Sequence, residues 1–365
     1  KWLRIMNKPI IGITMGDPAG VGPEIIGKAF ADKMIYEICN PVLIGDKNAI
    51  DDGIRIAGNT IKTRSIENVS DANFEFGVID VLDLKNVDMK EMEYGKVNAM
   101  CGKASGEYIE KAVDLALKKE INAITTCPIH KDSFQSGGYK YPGHTEMLAQ
   151  LTNTKKFTMM LTHGDFRTIH VSTHVSLKEA CERVKKDRVL HVINLANEGC
   201  KALGIKEPRI AVAGLNPHAG EYDYRDPEGS PGGIFGDEEI KEIIPAVKAA
   251  QEKGINAVGP IPGDTVYPQS LKGGKFDIVV SMFHDQGHIP MKLKGFVYDA
   301  DTKDFGSING VNTTIGMPII RTSVDHGTAF GKAGKGTANC DSLIQALQSA
   351  VRLAKSGYYD NGFEA

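Results

Sequence analysis

The sequence contains no C-x-x-C pair, and its six cysteines are dispersed along 365 residues. This dispersion argues against a disulfide framework or a zinc knuckle, and it predicts reduced thiols in the cytoplasm. No apolar run approaches the roughly 20 residues that a membrane-spanning helix requires. Residues 1–6 also lack the apolar stretch and cleavage pattern of a signal peptide. We therefore expect a cytoplasmic protein with no membrane partner.

An excess of basic residues is also missing, because 43 Lys and Arg face 46 Asp and Glu, for a formal net charge of -3. That balance provides no electrostatic basis for binding nucleic acid or an anionic membrane. Low-complexity tracts, long linkers and tandem repeats are absent as well. What the chain does have is 40 glycines gathered in particular loops, and enough length for two α/β domains.

Apolar segments typical of buried strands alternate with segments of helical periodicity. This alternation predicts a largely parallel, doubly wound α/β architecture, in which ligands bind beyond the carboxyl ends of the strands. Residues 297–310 form a polar excursion with turn residues, for which we expect a surface hairpin. The predicted strands cover residues 9–14, 41–46, 123–128, 209–215 and 276–282, and helical spacing marks residues 24–30 and 105–119.

Three histidines follow β-type runs: His174 after residues 168–173, His218 after residues 209–215 and His284 after residues 276–282. Imidazoles presented at strand ends are well placed to converge on one divalent metal. Three neutral imidazoles would leave coordination positions open for a substrate, as a catalytic site requires. Histidines with purely structural roles remain the alternative at this point.

Strand geometry narrows the choice of ligands. His170 and His174 have the i, i+4 interval of a helical metal pair, but a strand would separate them by about 13 Å. His174, nearer the loop, is therefore the better candidate. His284 and His288 are predicted to flank a turn, so either of them could be a ligand.

Six motifs, in this order, resemble the 4-hydroxythreonine-4-phosphate dehydrogenase family over almost the whole chain. Each motif is weak alone, but the ordered set is highly specific. The resemblance implies a two-domain α/β fold like that of isocitrate and isopropylmalate dehydrogenases, with an interdomain cleft. The motifs are TMGDPAGVGPE at 14–24, GHTE at 143–146, TH at 173–174, NPHAGE at 216–221, HDQG at 284–287 and IRTSVDHGTA at 320–329.

The same resemblance implies the organisation of the molecule. One α/β domain is expected from both chain ends, residues 1–125 with 312–365, on the cofactor side. A central α/β domain, residues 126–311, is expected to carry the metal ligands and the dimer contacts. Family members are homodimers whose active site lies at the subunit interface, so we expect a homodimer with a shared site.

The resemblance also assigns roles to individual residues. Its metal ligands are His174, His218 and His284, with zinc, magnesium, cobalt or manganese as candidate ions. Lys292 and Arg321 can neutralise a phosphate and a carboxylate, and Arg does so with a bidentate fork. Candidate catalytic residues are Lys292, Asp264 and Asp285, although roles as turn residue and loop cap stay open for the two aspartates. The implied substrate contacts are His144, Thr145, Lys292, Asn312 and Arg321.

The expected cofactor is NAD, although no G-x-G-x-x-G motif opens a βαβ unit. Residues 326–329 and 333–339 are instead similar to the adenosine-binding loop of isocitrate and isopropylmalate dehydrogenases. That similarity implies cofactor contacts by His326, Gly327, Thr328, Ala329, Gly334 and Asn339, while simple turn glycines remain the alternative.

Residues 163–164 and 171–177 look like the D-threonate or D-erythronate 4-phosphate dehydrogenase branch of the family. That branch implies NAD-dependent oxidation and decarboxylation of a 4-phosphorylated hydroxy acid to dihydroxyacetone phosphate, CO2 and NADH, within carbohydrate metabolism. The alternatives are the 4-hydroxythreonine-4-phosphate dehydrogenase of pyridoxine biosynthesis and a phosphate acyltransferase of related fold. His288 suggests the first branch, under the hypothesis that a charged imidazolium there repels a substrate amine.

Overall fold

A computed structural model of the chain describes residues 8–271, 274–301 and 304–357. It divides into two compact units, the first running to Phe157 and resuming at Met317, the second spanning Thr158–Gly316. Among the described residues, none of the helices has both the length and the apolar character that crossing a bilayer demands.

The first unit is built on parallel strands in the order β3-β4-β2-β1-β5-β14. Its strands are β1 (Ile10–Thr14), β2 (Asn40–Gly45), β3 (Lys62–Ile66), β4 (Val78–Asp83), β5 (Ala123–Thr126) and, late in the chain, β14 (Arg321–Val324). Its helices are α1 (Gly22–Ala29), α2 (Lys33–Ile38), α3 (Lys47–Ile56), α4 (Ala99–Leu117), α5 (Lys131–Ser136), α6 (His144–Leu151) and, at the end, α12 (Asp341–Lys355).

The second unit contains the strand order β13-β6-β7-β10-β8-β9, in which β13, β6 and β7 pair antiparallel and the rest pair parallel. Its strands are β6 (Thr158–His163), β7 (Phe166–His170), β8 (Ile210–Ala213), β9 (Ala257–Ile261), β10 (Ile278–Ser281) and β13 (Val311–Ile315). Strands β11 (Phe296–Asp299) and β12 (Asp304–Ile308) form a separate antiparallel hairpin. Its helices are α7 (Leu177–Arg183), α8 (Lys186–Ala202), α9 (Ile244–Glu252), α10 (Gly263–Leu271) and α11 (His284–Gly295), with a π-helical turn at Glu239–Ile243.

Burial and capping explain why these segments form these elements. All six residues of β2 are buried, and residues 41–45 are an unbroken apolar run rather than an alternating pattern, as expected when helices cover both faces of a parallel sheet. Asp46 then begins α3, because its carboxylate accepts hydrogen bonds from the backbone N–H groups of Asn48 and Ala49. The buried residues of α3, at positions 49, 50, 53 and 54, recur at helical spacing.

The predicted doubly wound α/β class and the five predicted strands are confirmed. The hairpin expected at residues 297–310 is confirmed by the pairing of β11 with β12, and residues 302–303 lie outside the described part. The predicted turn between His284 and His288 is wrong, because both residues belong to α11.

The domain boundaries differ from the expected ones near residues 125 and 312. Helices α5 and α6 pack against α4, and this contact keeps residues 126–157 in the first unit. Strand β13 pairs with β6, which retains residues 312–316 in the second unit. Sequence patterns identify elements but not the neighbours that each element packs against.

Candidate active site

The three candidate metal ligands follow three neighbouring parallel strands. Strand β10 pairs with β7 on one side and with β8 on the other. His174 lies in the loop after β7, His284 begins the helix after β10, and His218 lies in the loop after β8. Because parallel strands end at the same edge of a sheet, all three loops leave from that edge. The rings of His174 and His284 have centroids 5.8 Å apart.

Carboxylates fix the orientation of two of these imidazoles. His284 Nδ1 lies 2.7 Å from Asp285 Oδ1, and His218 Nδ1 lies 2.8 Å from Glu221 Oε1. With Nδ1 donating to a carboxylate, the lone pair of each ring resides on Nε2, the form in which a neutral imidazole binds metal. The hydrogen bond to Glu221 raises the pKa of His218, and the charge of Asp264, at the start of α10, raises it further.

This donor set fits a divalent cation, since neutral imidazole nitrogens suit zinc and neighbouring transition metals. A cavity of about 500 Å³ opens beside His174 and His284, lined also by Thr173, Phe283 and Asp285. Within residues 8–271, 274–301 and 304–357, however, no three His, Cys, Asp or Glu side chains are already gathered as a metal-binding group. Assignment of the ligand triad therefore stays a prediction.

His288 stacks on His284, with ring centroids 3.7 Å apart and planes 10° from parallel. Its Nδ1 lies 3.0 Å from the His284 carbonyl oxygen, and the buried His170 ring packs on it with a centroid distance of 4.7 Å. Burial lowers the pKa of His288 to about 4, so the ring is neutral at physiological pH. This lowered pKa argues against the hypothesis that a charged imidazolium at this position repels a substrate amine.

Two further predicted substrate contacts lie in the second unit. Lys292 is on α11, with its Nζ 4.2 Å from the centroid of the Phe296 ring. Asn312 is on β13, and its buried Oδ1 accepts no hydrogen bond from the residues that the structure describes. A buried amide oxygen without a donor is available to a hydroxyl group of a ligand.

The remaining predicted substrate contacts lie in the first unit. His144 and Thr145 begin α6, and Arg321 lies on β14 with its guanidinium donating to Thr126 Oγ1. Arg321 and His144 line one cavity of about 210 Å³. Burial lowers the pKa of Arg321 to about 10, with the charge of Glu146 opposing the shift.

Burial, aided by the charge of Arg321, also lowers the pKa of His144, and its buried Nε2 has no hydrogen-bond partner within the described part of the chain. A desolvated cation next to an unsatisfied polar nitrogen favours an anionic ligand that also offers a hydrogen bond.

The candidate cofactor loop comprises residues 326–339, here called the glycine loop. Lys28 Nζ donates to the carbonyl oxygens of Gly336 and Ala338, while the buried Glu24 accepts from Lys28 Nζ and from Ala338 N–H. Helix α1 thus holds one end of this loop in a defined conformation. Asn339 has both side-chain groups bonded to Asp341, which makes it part of the start of α12.

The other predicted members of the glycine loop have local backbone roles. Ala329 and Gly334 have positive φ angles, and a Cβ at Gly334 would lie 2.9 Å from the Tyr94 ring. Thr328 is buried, and its carbonyl oxygen accepts from Val21 N–H. Gly327 is exposed, and its carbonyl oxygen lies 2.9 Å from His326 Nδ1. These observations define the shape of the loop and leave cofactor binding as a prediction.

Sequence reasoning missed three groups that shape the sites. Glu221 was inside the NPHAGE motif, so its place three residues after His218 was a usable signal. The sequence placed Lys28 in a helix, but a helical position does not indicate a contact with Gly336, 308 residues away. Glu239, a buried carboxylate bonded to the loop of His218, had no sequence signal because long-range contacts bring it there.

Comparison with known proteins bears on this site. Residues 37–350 match the family described as Pyridoxal phosphate biosynthetic protein PdxA. A protein of Clostridium botulinum (strain Langeland) named "Putative D-threonate 4-phosphate dehydrogenase" is 44% identical over 350 residues, covering 96% of this chain and 98% of the relative. A protein of the same name from Oceanobacillus iheyensis is 46% identical over 352 residues, with 95% and 98% coverage.

A solved structure is also similar along nearly the whole chain. It is a 4-hydroxythreonine-4-phosphate dehydrogenase from Burkholderia phymatum, with a TM-score of 0.78 and 42% sequence identity over 95% of this chain and 98% of that chain. The match in fold and sequence defines the class: the protein is an enzyme, an oxidoreductase of the dehydrogenase type. The chain belongs to the PdxA family of pyridoxal phosphate biosynthetic proteins, as its ordered motifs predicted.

Proposed function

We propose that this protein oxidises and decarboxylates a 4-phosphorylated hydroxy acid, D-threonate or D-erythronate 4-phosphate. NAD is the proposed oxidant, and a divalent cation held by His174, His218 and His284 is the proposed metal. The products are dihydroxyacetone phosphate, CO2 and NADH. The observation that carries the proposal is the position of these histidines after three neighbouring parallel strands, β7, β8 and β10.

When bound, the divalent cation supplies Lewis-acid polarisation of the substrate hydroxyl, and NAD supplies the hydride acceptor. Asp285 and Glu221 lie against the Nδ1 atoms of His284 and His218, which leaves Nε2 as the nitrogen of each ring that would face the metal. Asp264 lies close enough to His218 for its charge to raise the pKa of that imidazole. Asp264 and Asp285 are both exposed in the first turns of α10 and α11. A carboxylate in such a position can exchange a proton with a substrate or water.

Charged and polar groups are the proposed contacts of a phosphorylated acid. Arg321 provides a bidentate guanidinium and His144 an adjacent ring nitrogen, with Thr145 at the start of the same helix. Lys292 provides a second cation, and Asn312 provides an unused acceptor for a hydroxyl. Two cations suit a substrate with a phosphate at one end and a carboxylate at the other.

The relatives named for D-threonate 4-phosphate favour that substrate over the amine analogue. A second candidate is 4-hydroxythreonine 4-phosphate, favoured by the name of the structure from Burkholderia phymatum. The lowered pKa of His288 disfavours repulsion by that ring as the source of discrimination between a hydroxyl and an ammonium at C2.

NAD is proposed to bind along the glycine loop, through His326, Gly327, Thr328, Ala329, Gly334 and Asn339. Support comes from the anchoring of this loop by Lys28 and Glu24, since a fixed backbone binds a cofactor at lower entropic cost. Binding through the Asn339 amide would use its second N–H or the second lone pair of its oxygen, since one of each is bonded to Asp341.

A homodimer is proposed as the working assembly. Ile289 and Leu293 lie one turn apart on α11 and are 57% and 80% exposed, followed by the exposed Val297 and Tyr298 of β11. An apolar surface of this kind favours a protein partner, and a second copy would cover it beside the histidine loops. Light scattering of Leu293→Asp, with Leu117→Asp on α4 as control, tests this surface. A dimer that persists unchanged in Leu293→Asp would contradict its use.

The activity is tested by incubating the protein with NAD, manganese or zinc, and each of D-threonate, D-erythronate and 4-hydroxythreonine 4-phosphate. NADH and CO2 are followed together. We expect NADH and CO2 in equal amounts with one of the two hydroxy acids, and loss of turnover in His218→Ala and His284→Ala. His191→Gln on α8, outside the strand ends, is the matched control. No NADH with any substrate after metal is replenished would refute the proposal.

A further inference from the structure

We infer that Glu239 is a positioning residue, whose carboxylate holds the loop of His218 in the strained conformation that presents its imidazole. The inference rests on the proposed metal site, because it assigns to His218 the role of a ligand. Glu239 lies in the π-helical turn Glu239–Ile243, a feature found frequently at functional sites. It is fully buried and lies outside every motif singled out in the sequence.

The loop of His218 has an unusual backbone. His218, Ala219, Gly220 and Glu221 all have φ between 53° and 66°, so four successive residues are left-handed. Only glycine adopts this region without a steric penalty, and the other three residues pay one through their Cβ atoms. Such a segment persists only where surrounding contacts determine it. The contacts that stabilise these left-handed residues are expected on the inner side of the loop.

The Glu239 carboxylate occupies that position. Its Oε1 accepts hydrogen bonds from the backbone N–H of Leu215 at 2.8 Å and of Asn216 at 2.7 Å. Its Oε2 accepts from the Asn216 side-chain nitrogen at 2.8 Å. Hydrogen bonds from N–H groups to a carboxylate are stronger than neutral ones, and burial excludes water as a substitute.

Close packing joins the two ends of the loop around the same carboxylate. A Cβ at Gly214 would lie 3.3 Å from Oε1 and 2.8 Å from Ala219, and a Cβ at Gly220 would lie 3.4 Å from Oε2. The end of β8, the backbone amides of Leu215 and Asn216, and the left-handed turn therefore all lie around the carboxylate of Glu239. Without it, the backbone N–H groups of Leu215 and Asn216 lose the acceptor that they share, and only the bond from the Asn216 side chain to Glu238 is kept, so the turn is expected to relax toward ordinary negative φ. The direction of the His218 ring changes as a result.

The test compares Glu239→Gln with Glu242→Gln, using cobalt(II) as the metal probe. Glu242 is in the same π-helical turn, but it accepts from Lys186 N–H and from Lys185 Nζ rather than from the loop of His218. Gln at position 239 keeps the size of Glu, but its side-chain nitrogen is a donor that would face the donor nitrogen of the Asn216 side chain. We expect cobalt affinity to fall about tenfold or more in Glu239→Gln, the value of one hydrogen bond to a charged group. Glu242→Gln should remain within about twofold of wild type.

Hydrogen exchange supplies a readout without metal or activity. The amides of Leu215 and Asn216 should be protected in the wild type and in Glu242→Gln, and should exchange faster in Glu239→Gln. The double variant Glu239→Gln with Ala219→Gly should recover part of the cobalt affinity, because glycine removes the penalty at positive φ. A purely structural loss would not be recovered in this way.

The outcomes separate the inference from the proposed function. If wild type and Glu239→Gln bind cobalt equally well while His218→Ala does not, the metal site stands and the role of Glu239 is refuted. If cobalt binds no better to wild type than to His218→Ala, the metal site fails and takes this role with it. Should Glu239→Gln fail to fold, rapid exchange of the Leu215 and Asn216 amides in the wild type would still overturn the inference.

Discussion

Gly287 lies in the first turns of α11, where a methyl group has no room. A Cβ at this position would overlap His170 Nε2 and lie 2.7 Å from both Ser281 Oγ and Thr168 Oγ1. These three side chains are fully buried, and the two hydroxyls bond to each other at 2.7 Å. Tyr267 completes the network with a 2.6 Å contact to Ser281 Oγ. The neighbours therefore cannot move without breaking buried hydrogen bonds.

Two opposing effects decide the outcome of Gly287→Ala. Alanine gains about 1 kcal/mol over glycine in a helix interior. Overpacking costs about 1–3 kcal/mol, and a broken buried hydrogen bond costs a further 1–3 kcal/mol or so. We expect a net loss of about 2 kcal/mol, and hence a Tm lowered by about 4–8 °C for a cooperative unit of 150–250 residues. Thermal unfolding followed by circular dichroism measures this shift.

Gly199, in α8 of the same unit, is the matched control. A Cβ there has Met160 Sδ as its nearest neighbour at 3.4 Å, an ordinary contact. Gly199→Ala should therefore keep the helix gain, raising stability by about 0.5–1 kcal/mol. If Gly287→Ala were as stable as wild type while Gly199→Ala gained, the packing argument for α11 would be refuted.

Three further predictions concern the substrate pocket, pH and the cofactor loop. Arg321→Met should raise the KM for the phosphorylated substrate about tenfold or more, through loss of a charge-assisted hydrogen bond; an unchanged KM would exclude Arg321 from substrate binding. Burial lowers the pKa of His170 to about 3, compared with 6.5 in the unfolded chain. Between these two pH values the unfolded state binds a proton that the folded state does not, so the stability of the fold decreases as the pH is lowered through that range. His170→Leu should remove about 1–2 kcal/mol of the stability lost between about pH 6.5 and 5, measured by urea unfolding in chelator, and an unaltered pH dependence would contradict a neutral native His170. Lys28→Met should weaken NADH binding about tenfold, because it releases the glycine loop. Lys47→Met, which removes only the exposed ion pair of Lys47, should leave NADH binding unchanged. Equal NADH affinities of the two variants in fluorescence titrations would count against anchoring of the loop by Lys28.

Much of the architecture was predictable because the relevant signals are short in range. Apolar runs located β1, β2, β5, β8 and β10, and turn residues located the hairpin of β11 and β12. The ordered motifs identified the family, which the comparisons confirmed. Histidines after predicted strands drew attention to loops at the strand ends, which is where open α/β sheets bind ligands.

Other features depended on partners distant in sequence. His284 and His288 were expected around a turn, but they stack on one face of α11, whose N-terminal turn packs against the buried His170 and Ser281. The first domain boundary lies at Phe157 rather than near residue 125, because α5 and α6 pack on α4. Glu239 and Lys28 each reach a loop that no local pattern connects with them.

For the histidine triad, the sequence by itself determined that His174, His218 and His284 each follow a β-type run. Only the tertiary structure decided that these runs are neighbours, in the order β7-β10-β8, so that their loops leave one edge. It also decided that Asp285 and Glu221 hold the rings by Nδ1. The physical reason is range: hydrophobic periodicity is set by residues a few positions apart, whereas strand order is set by burial of whole elements against each other.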